Sequence, residues 1–81
     1  MAQKKARPKC KIGQKRFTVV VVKGDAYAGR SFEDAMDLAL PDRGNKVDVY
    51  VTCAGDAGEA RMGFNKPNWV LTRSFRFKRR G

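Results

Sequence analysis

Four consecutive valines, Val19 to Val22, constrain this chain more than any other feature. In a pleated strand successive side chains point to opposite faces, so an unbroken aliphatic run places apolar groups on both. Arg16 to Lys23 is therefore expected as a central strand. At 81 residues the chain is one domain at most, with roughly 60% of its unfolded surface available for burial and no room for a separate catalytic module.

The remaining elements follow from spacing. Gly24, Ala28 and Gly29 break the valine run, and Ser31 with Asp34 three positions later is a close variant of a helix-start capping box. Phe32, Ala35, Met36, Ala39 and Leu40 recur at helical spacing, Glu33, Asp34 and Asp37 suit the positive end of the helix dipole, and Pro41 stops the helix. Pro41 to Gly44 then makes a turn. Val47, Val49, Val51 and Cys53 alternate with Asp48, Tyr50 and Thr52, the pattern of a strand with one buried face. Gly55 to Asn68 reads as a long loop with a helical turn between Asp56 and Met62. Trp69, Leu71, Phe75 and Phe77 alternate with Val70, Thr72, Ser74, Arg76 and Lys78 in a last strand.

The expected fold is α+β, a single small domain in the order β-α-β-β: a three-stranded sheet with one helix on one face and basic terminal extensions. Residues 1–15 form a basic flexible arm, and residues 16–81 form the domain with its basic C-terminal end. A right-handed crossover would make the first two strands parallel, and the last two would pair as a hairpin. One helix covers one face only. The other would expose Thr18 or Val20 and Val22, Tyr50, Val70, Thr72, Arg76 and Lys78, a surface that asks for a partner, a second copy of the chain included.

Charge is segregated along the chain. Residues 1–23 hold eight Lys or Arg and no acid, residues 24–59 hold three basic and eight acidic residues, and residues 60–81 hold seven basic residues and no acid. The formal net charge of +10 thus arises entirely from the two ends, which predicts a polarised domain with an acidic helix on one side.

Several function classes drop out. The chain has no histidine, which removes the commonest general base and transition-metal ligand. Cys10 and Cys53 have no metal-ligand spacing, so no metal site and no cofactor is expected. Cys53 alternates with valines and reads as a small buried free thiol in preference to a disulfide, which favours a reducing cytoplasm. Val19 to Val22 is the longest aliphatic run, well short of the ~20 residues of a membrane span. A soluble cytoplasmic protein without enzymatic activity is the expectation.

The cations supply the candidate site. Lys4, Lys5, Arg7, Lys9, Lys11, Lys15 and Arg16 at one end, with Arg73, Arg76, Lys78, Arg79 and Arg80 at the other, are placed to neutralise phosphates. Aromatics interleave the second group, and exposed rings stack on bases. Alternation assigns Phe75 and Phe77 to the core in preference to a ligand. Tyr50, on the opposite face of its strand from the valines, is the ring best placed for stacking, cross-strand packing being its equal alternative. Arg73 is out of place, because it shares the face of Trp69, Leu71 and Phe75; a sheet edge, an acidic partner or a bulge would each account for it. Met62, Phe64 and Trp69 near Lys66 fit either a mobile aromatic contact patch or core cover under the long loop, and core cover is the preferred reading. Gly55 to Glu59 lacks a calcium-loop pattern and reads as a mobile loop, and Lys23 to Arg30 as a connection between strand and helix.

These readings favour a nucleic-acid-binding protein with limited sequence specificity, single-stranded or structured RNA or DNA before the duplex, because the one clear helix is acidic. Two alternatives stand beside it. The first is a small accessory, phage-type adaptor or inhibitor that docks its basic surface on an acidic protein; the second is a ribosome-associated structural protein. The element order differs from that of a double-stranded RNA-binding domain and lacks the aromatic motifs of an RNA-recognition motif.

Overall fold

A computed structural model describes residues 9–78. Lys4, Lys5, Arg7, Arg79 and Arg80 lie outside the described residues. The fold is a small α+β domain built on one antiparallel sheet of four strands, β1 (Lys15–Val22), β2 (Asp25–Gly29), β3 (Lys46–Ala54) and β4 (Val70–Arg76), in the order β2-β1-β3-β4. The helices are α1 (Phe32–Ala39) and α2 (Ala57–Arg61), and a 3₁₀ segment (Gly63–Asn68) leads into β4.

The fourth strand is β2, which the sequence presented as a connection. Lys23 and Gly24 both have positive φ, at 54° and 84°, and close a two-residue hairpin in which Val22 pairs with Asp25 and Thr18 with Gly29. This changes the topology. β1 and β3 are antiparallel, not parallel: Val20 opposes Val49 and Val22 opposes Val47. The parallel relation falls instead to β2 and β3, which run the same way on either side of β1 with α1 connecting them.

The valine run is central, as its composition requires, and both of its faces are covered. On one face Val20, Val22, Val47 and Val49 are buried against Ala35 of α1, with Phe32, Met36, Ala39, Phe75 and Phe77 packed around them. On the other, Phe17, Val19, Ala28 and Ala54 are buried against Ala60 of α2, with Tyr50 and Trp69 at the margin. The expected open face carrying Val20 and Val22 is therefore corrected. The two helices lie one on each side of the sheet.

Local capping explains both helices. Ser31 Oγ accepts from the Asp34 amide at 3.1 Å, and Leu40 ends α1 in the left-handed region with its amide donating to Met36 O. Asp56 Oδ1 accepts from the Glu59 amide at 2.8 Å while Glu59 Oε1 accepts from the Gly55 amide at 3.0 Å. The segment expected as a mobile loop is thus the reciprocal cap of α2. Asn65 is buried and donates from Nδ2 to Thr52 Oγ1 at 3.1 Å, tying the 3₁₀ segment to β3.

β4 contains a bulge. Arg73 opposes Val49 and Leu71 opposes the next residue, Tyr50, so Thr72 has no partner. Its hydroxyl donates to Val49 O instead. The extra residue reverses the parity of the strand: Trp69 and Leu71 lie on the α2 side, whereas Arg73, Phe75 and Phe77 lie on the α1 side.

Cys10 and Cys53 are joined in a disulfide, which corrects the expectation of a free thiol. Cys53 opposes Arg16, beyond the reach of α1, and is only half-buried. A turn held by the Gln14 amide to Lys11 O and the Lys11 amide to Gln14 Oε1 folds the preceding chain back so that Cys10 meets it. The argument from a free thiol to a reducing compartment falls with it. Among the described residues, no helix is long and apolar enough to cross a membrane.

Candidate nucleic-acid interface

Glu33, Asp34 and Asp37 are exposed on α1, which packs over β1 and β2. The opposite edge of the sheet is β4, whose Arg73 and Phe75 meet Phe32 of α1 on one face and which ends in Arg76, with Lys78 just beyond.

At the end of that edge four cations gather. Arg43, Arg76 and Lys78 line a cleft with Gly44 and Phe77, and Lys46 stands directly opposite Arg76 across the β3–β4 ladder. Like charges directly opposite one another destabilise a sheet unless an anion offsets them. Among the described residues none of these four cations forms an ion pair; of the two acids nearby, Asp42 pairs with Lys23 at 3.6 Å, and Asp48 Oδ1 accepts from Ser74 Oγ. The corner is also firmly built. The Gly44 amide donates to Phe77 O and the Phe77 amide to Asn45 O, both at 2.8 Å, while Arg76 Nη1 donates to Gly44 O at 2.7 Å.

Arg43 and Lys46 come from the acidic middle of the chain, and charge counting along the sequence passed over them. Pairing of the Pro41–Gly44 turn with the end of the last strand was the signal that could have found them.

From this corner an open strip follows β3 and β4 on the α2 side. Beyond Lys46 and Arg76 come Asp48 and Ser74, then Tyr50 and Leu71, then Trp69. Tyr50 is half-buried and its ring lies 5.1 Å from that of Trp69; Leu71 is 53% exposed. Of the roles foreseen for Tyr50, packing across the strands is the one observed, against Trp69 and the cluster of Phe17 and Val19. Lys66 Nζ lies 5.9 Å from the Trp69 ring centroid, and Trp69 Nε1 donates to Ala60 O.

The other sequence-assigned cations are dispersed. Lys9 and Lys11 line a second cleft with Gln14, Cys53 and Asn68. Arg16 is on the α1 side opposite Cys53, and Lys15 opposes Ala54 on the α2 side. Arg73 is committed to the fold: its guanidinium lies 4.5 Å from the Phe32 ring centroid and 5.1 Å from that of Phe75. Of the three explanations open to Arg73, the sheet edge and the bulge are both observed. Met62 and Phe64 are exposed, 50% and 71%, so their assignment as core cover is corrected.

Among the described residues no three Cys, Asp or Glu side chains gather as a metal site, and no buried polar side-chain atom lacks a hydrogen-bond partner. Comparison with known protein families, curated proteins and solved structures found no match.

Proposed function

We propose that this protein binds nucleic acid without catalysing a reaction, holding single-stranded or structured RNA or DNA largely through its phosphates. The observation that carries the reading is the corner of Arg43, Lys46, Arg76 and Lys78, four cations on a hydrogen-bonded turn and strand end, none of them in an ion pair among the described residues. The strip running from it past Tyr50 and Leu71 to Trp69 supplies apolar and aromatic surface on which bases can rest. Lys4, Lys5, Arg7, Arg79 and Arg80 extend the cationic ends and belong to the same proposal.

A salt titration tests it. With about six phosphates neutralised, log affinity against log salt should fall with a slope near −4 on single strands and near −5 on a duplex. Paired replacement of Lys46 and Arg76 by alanine should weaken binding and flatten the slope. A slope near zero on DNA and RNA alike would reject the reading.

The uncovered edge of β4 favours a second reading, an adaptor that takes up an extended acidic segment of another protein by strand addition. Capture of a single acidic protein after nuclease treatment, with no salt-dependent binding to nucleic acid, would select it.

A further inference from the structure

The connection between α2 and β4 displays two large apolar side chains in three residues. Phe64 is 71% exposed and Met62 50%, in a chain with a modest core and few such residues to spare. The segment that carries them is held firmly from below. Asn65 is buried on Thr52, Asn68 Nδ2 donates to Asn65 Oδ1 at 3.3 Å, the Asn65 amide donates to Met62 O, and the Trp69 amide to Lys66 O. A ring presented on so well-anchored a turn loses little conformational freedom when something packs on it.

The surroundings are cationic. No acid occurs between residues 60 and 78, the exposed Arg61 and Lys66 flank Phe64 in the sequence, Arg61 donating from Nε to Ala26 O at 3.1 Å, and Asn68 at the end of the segment shares its cleft with Lys9 and Lys11. An apolar partner alone would leave these charges unanswered, and a duplex keeps its base faces inside the stack. A single strand offers phosphates and free base faces together.

We propose that the 3₁₀ segment Gly63–Asn68 is a base-stacking element for single-stranded nucleic acid, with a base on the Phe64 ring and neighbouring phosphates met by Lys66, Lys9 and Lys11. The proposal rests on the nucleic-acid reading given above and adds to it a residue and a strand type.

The test uses the full chain, with fluorescence of its single tryptophan, Trp69, or anisotropy of a labelled strand as the readout. The probes are oligothymidylate of about 12 nucleotides, an abasic strand of equal length and a duplex. Phe64→Ala should weaken binding to oligothymidylate roughly 5- to 100-fold. Phe64→Tyr should retain it. The abasic strand should bind wild type and Phe64→Ala alike, since only the base contact is lost. If Phe64→Ala binds oligothymidylate as wild type does, or loses affinity for all three probes equally, the stacking element is overturned while the wider reading stands. If wild type binds none of them, both fail.

Discussion

Gly29 shows how closely a helix and a strand can approach when one residue has no side chain. A Cβ built there would lie 2.7 Å from both the Ala35 amide nitrogen and Asp34 Cβ, where α1 rests on β2. Gly29→Ala must therefore push the helix off the strand, at a cost of about 1–3 kcal/mol. Urea unfolding should show this as a lower midpoint with an unchanged slope. Sequence alone presented Gly29 as a breaker in the connection after the valine run, because the demand comes from an atom that spacing along the chain cannot locate. Arg73 is the converse case. It was visibly misplaced among Trp69, Leu71 and Phe75, and its misfit marked the residue after the bulge, which sends it to the side of Phe32 and Phe75. Cys53 was legible as half of a strand pattern but not as half of a bond, since the turn that returns Cys10 to it depends on a side-chain contact from Gln14.

Among the elements, β1, α1, β3 and β4 were legible, because each has a period or a cap that no other structure shares. β2 was not. Its sequence, Asp-Ala-Tyr-Ala-Gly, has little strand propensity; Ala26 and Ala28 are small because α2 lies on them, and a strand shaped by its cover carries the signature of neither. The valine run did require cover on both faces, and in the long connection that provides it the helical turn expected between Asp56 and Met62 is α2, though the turn was not placed on the sheet. For β4 the consequence is an edge that both helices leave bare. Arg73 and Arg76 on that edge oppose pairing with another copy, as charged residues on open edges do. Replacing both by threonine should produce concentration-dependent association in sedimentation at low salt, whereas an unchanged monomer would show that the bulge alone protects the edge.

At the scale of the whole molecule, the segregation of acids to the middle of the chain marked the two ends as cationic but did not locate the corner where cations gather in the sheet. That corner is built as much from Arg43 and Lys46 as from the basic ends, and only the sheet brings them to Arg76 and Lys78. The covalent frame is equally non-local. The disulfide spans a sequence separation of 43 residues, and closing a loop of that length stabilises the folded state by about 4 kcal/mol on the chain-entropy account. Reduction, or Cys10→Ser, should lower stability by about 2–4 kcal/mol in urea or thermal unfolding. Unchanged stability in reductant would mean that the bond is not made in the folded protein. The same bond decides how the molecule responds to tension. A pull applied at Lys9 and Lys78 passes from Cys10 directly to Cys53, so β1, β2, α1 and most of β3 lie in a ring that carries no load. Only α2, the 3₁₀ segment and β4 can be drawn out, and the chain between those two points becomes taut at about 100 Å instead of about 250 Å. Under force, the cationic edge would peel away first while the valine core stayed folded inside its own cross-link.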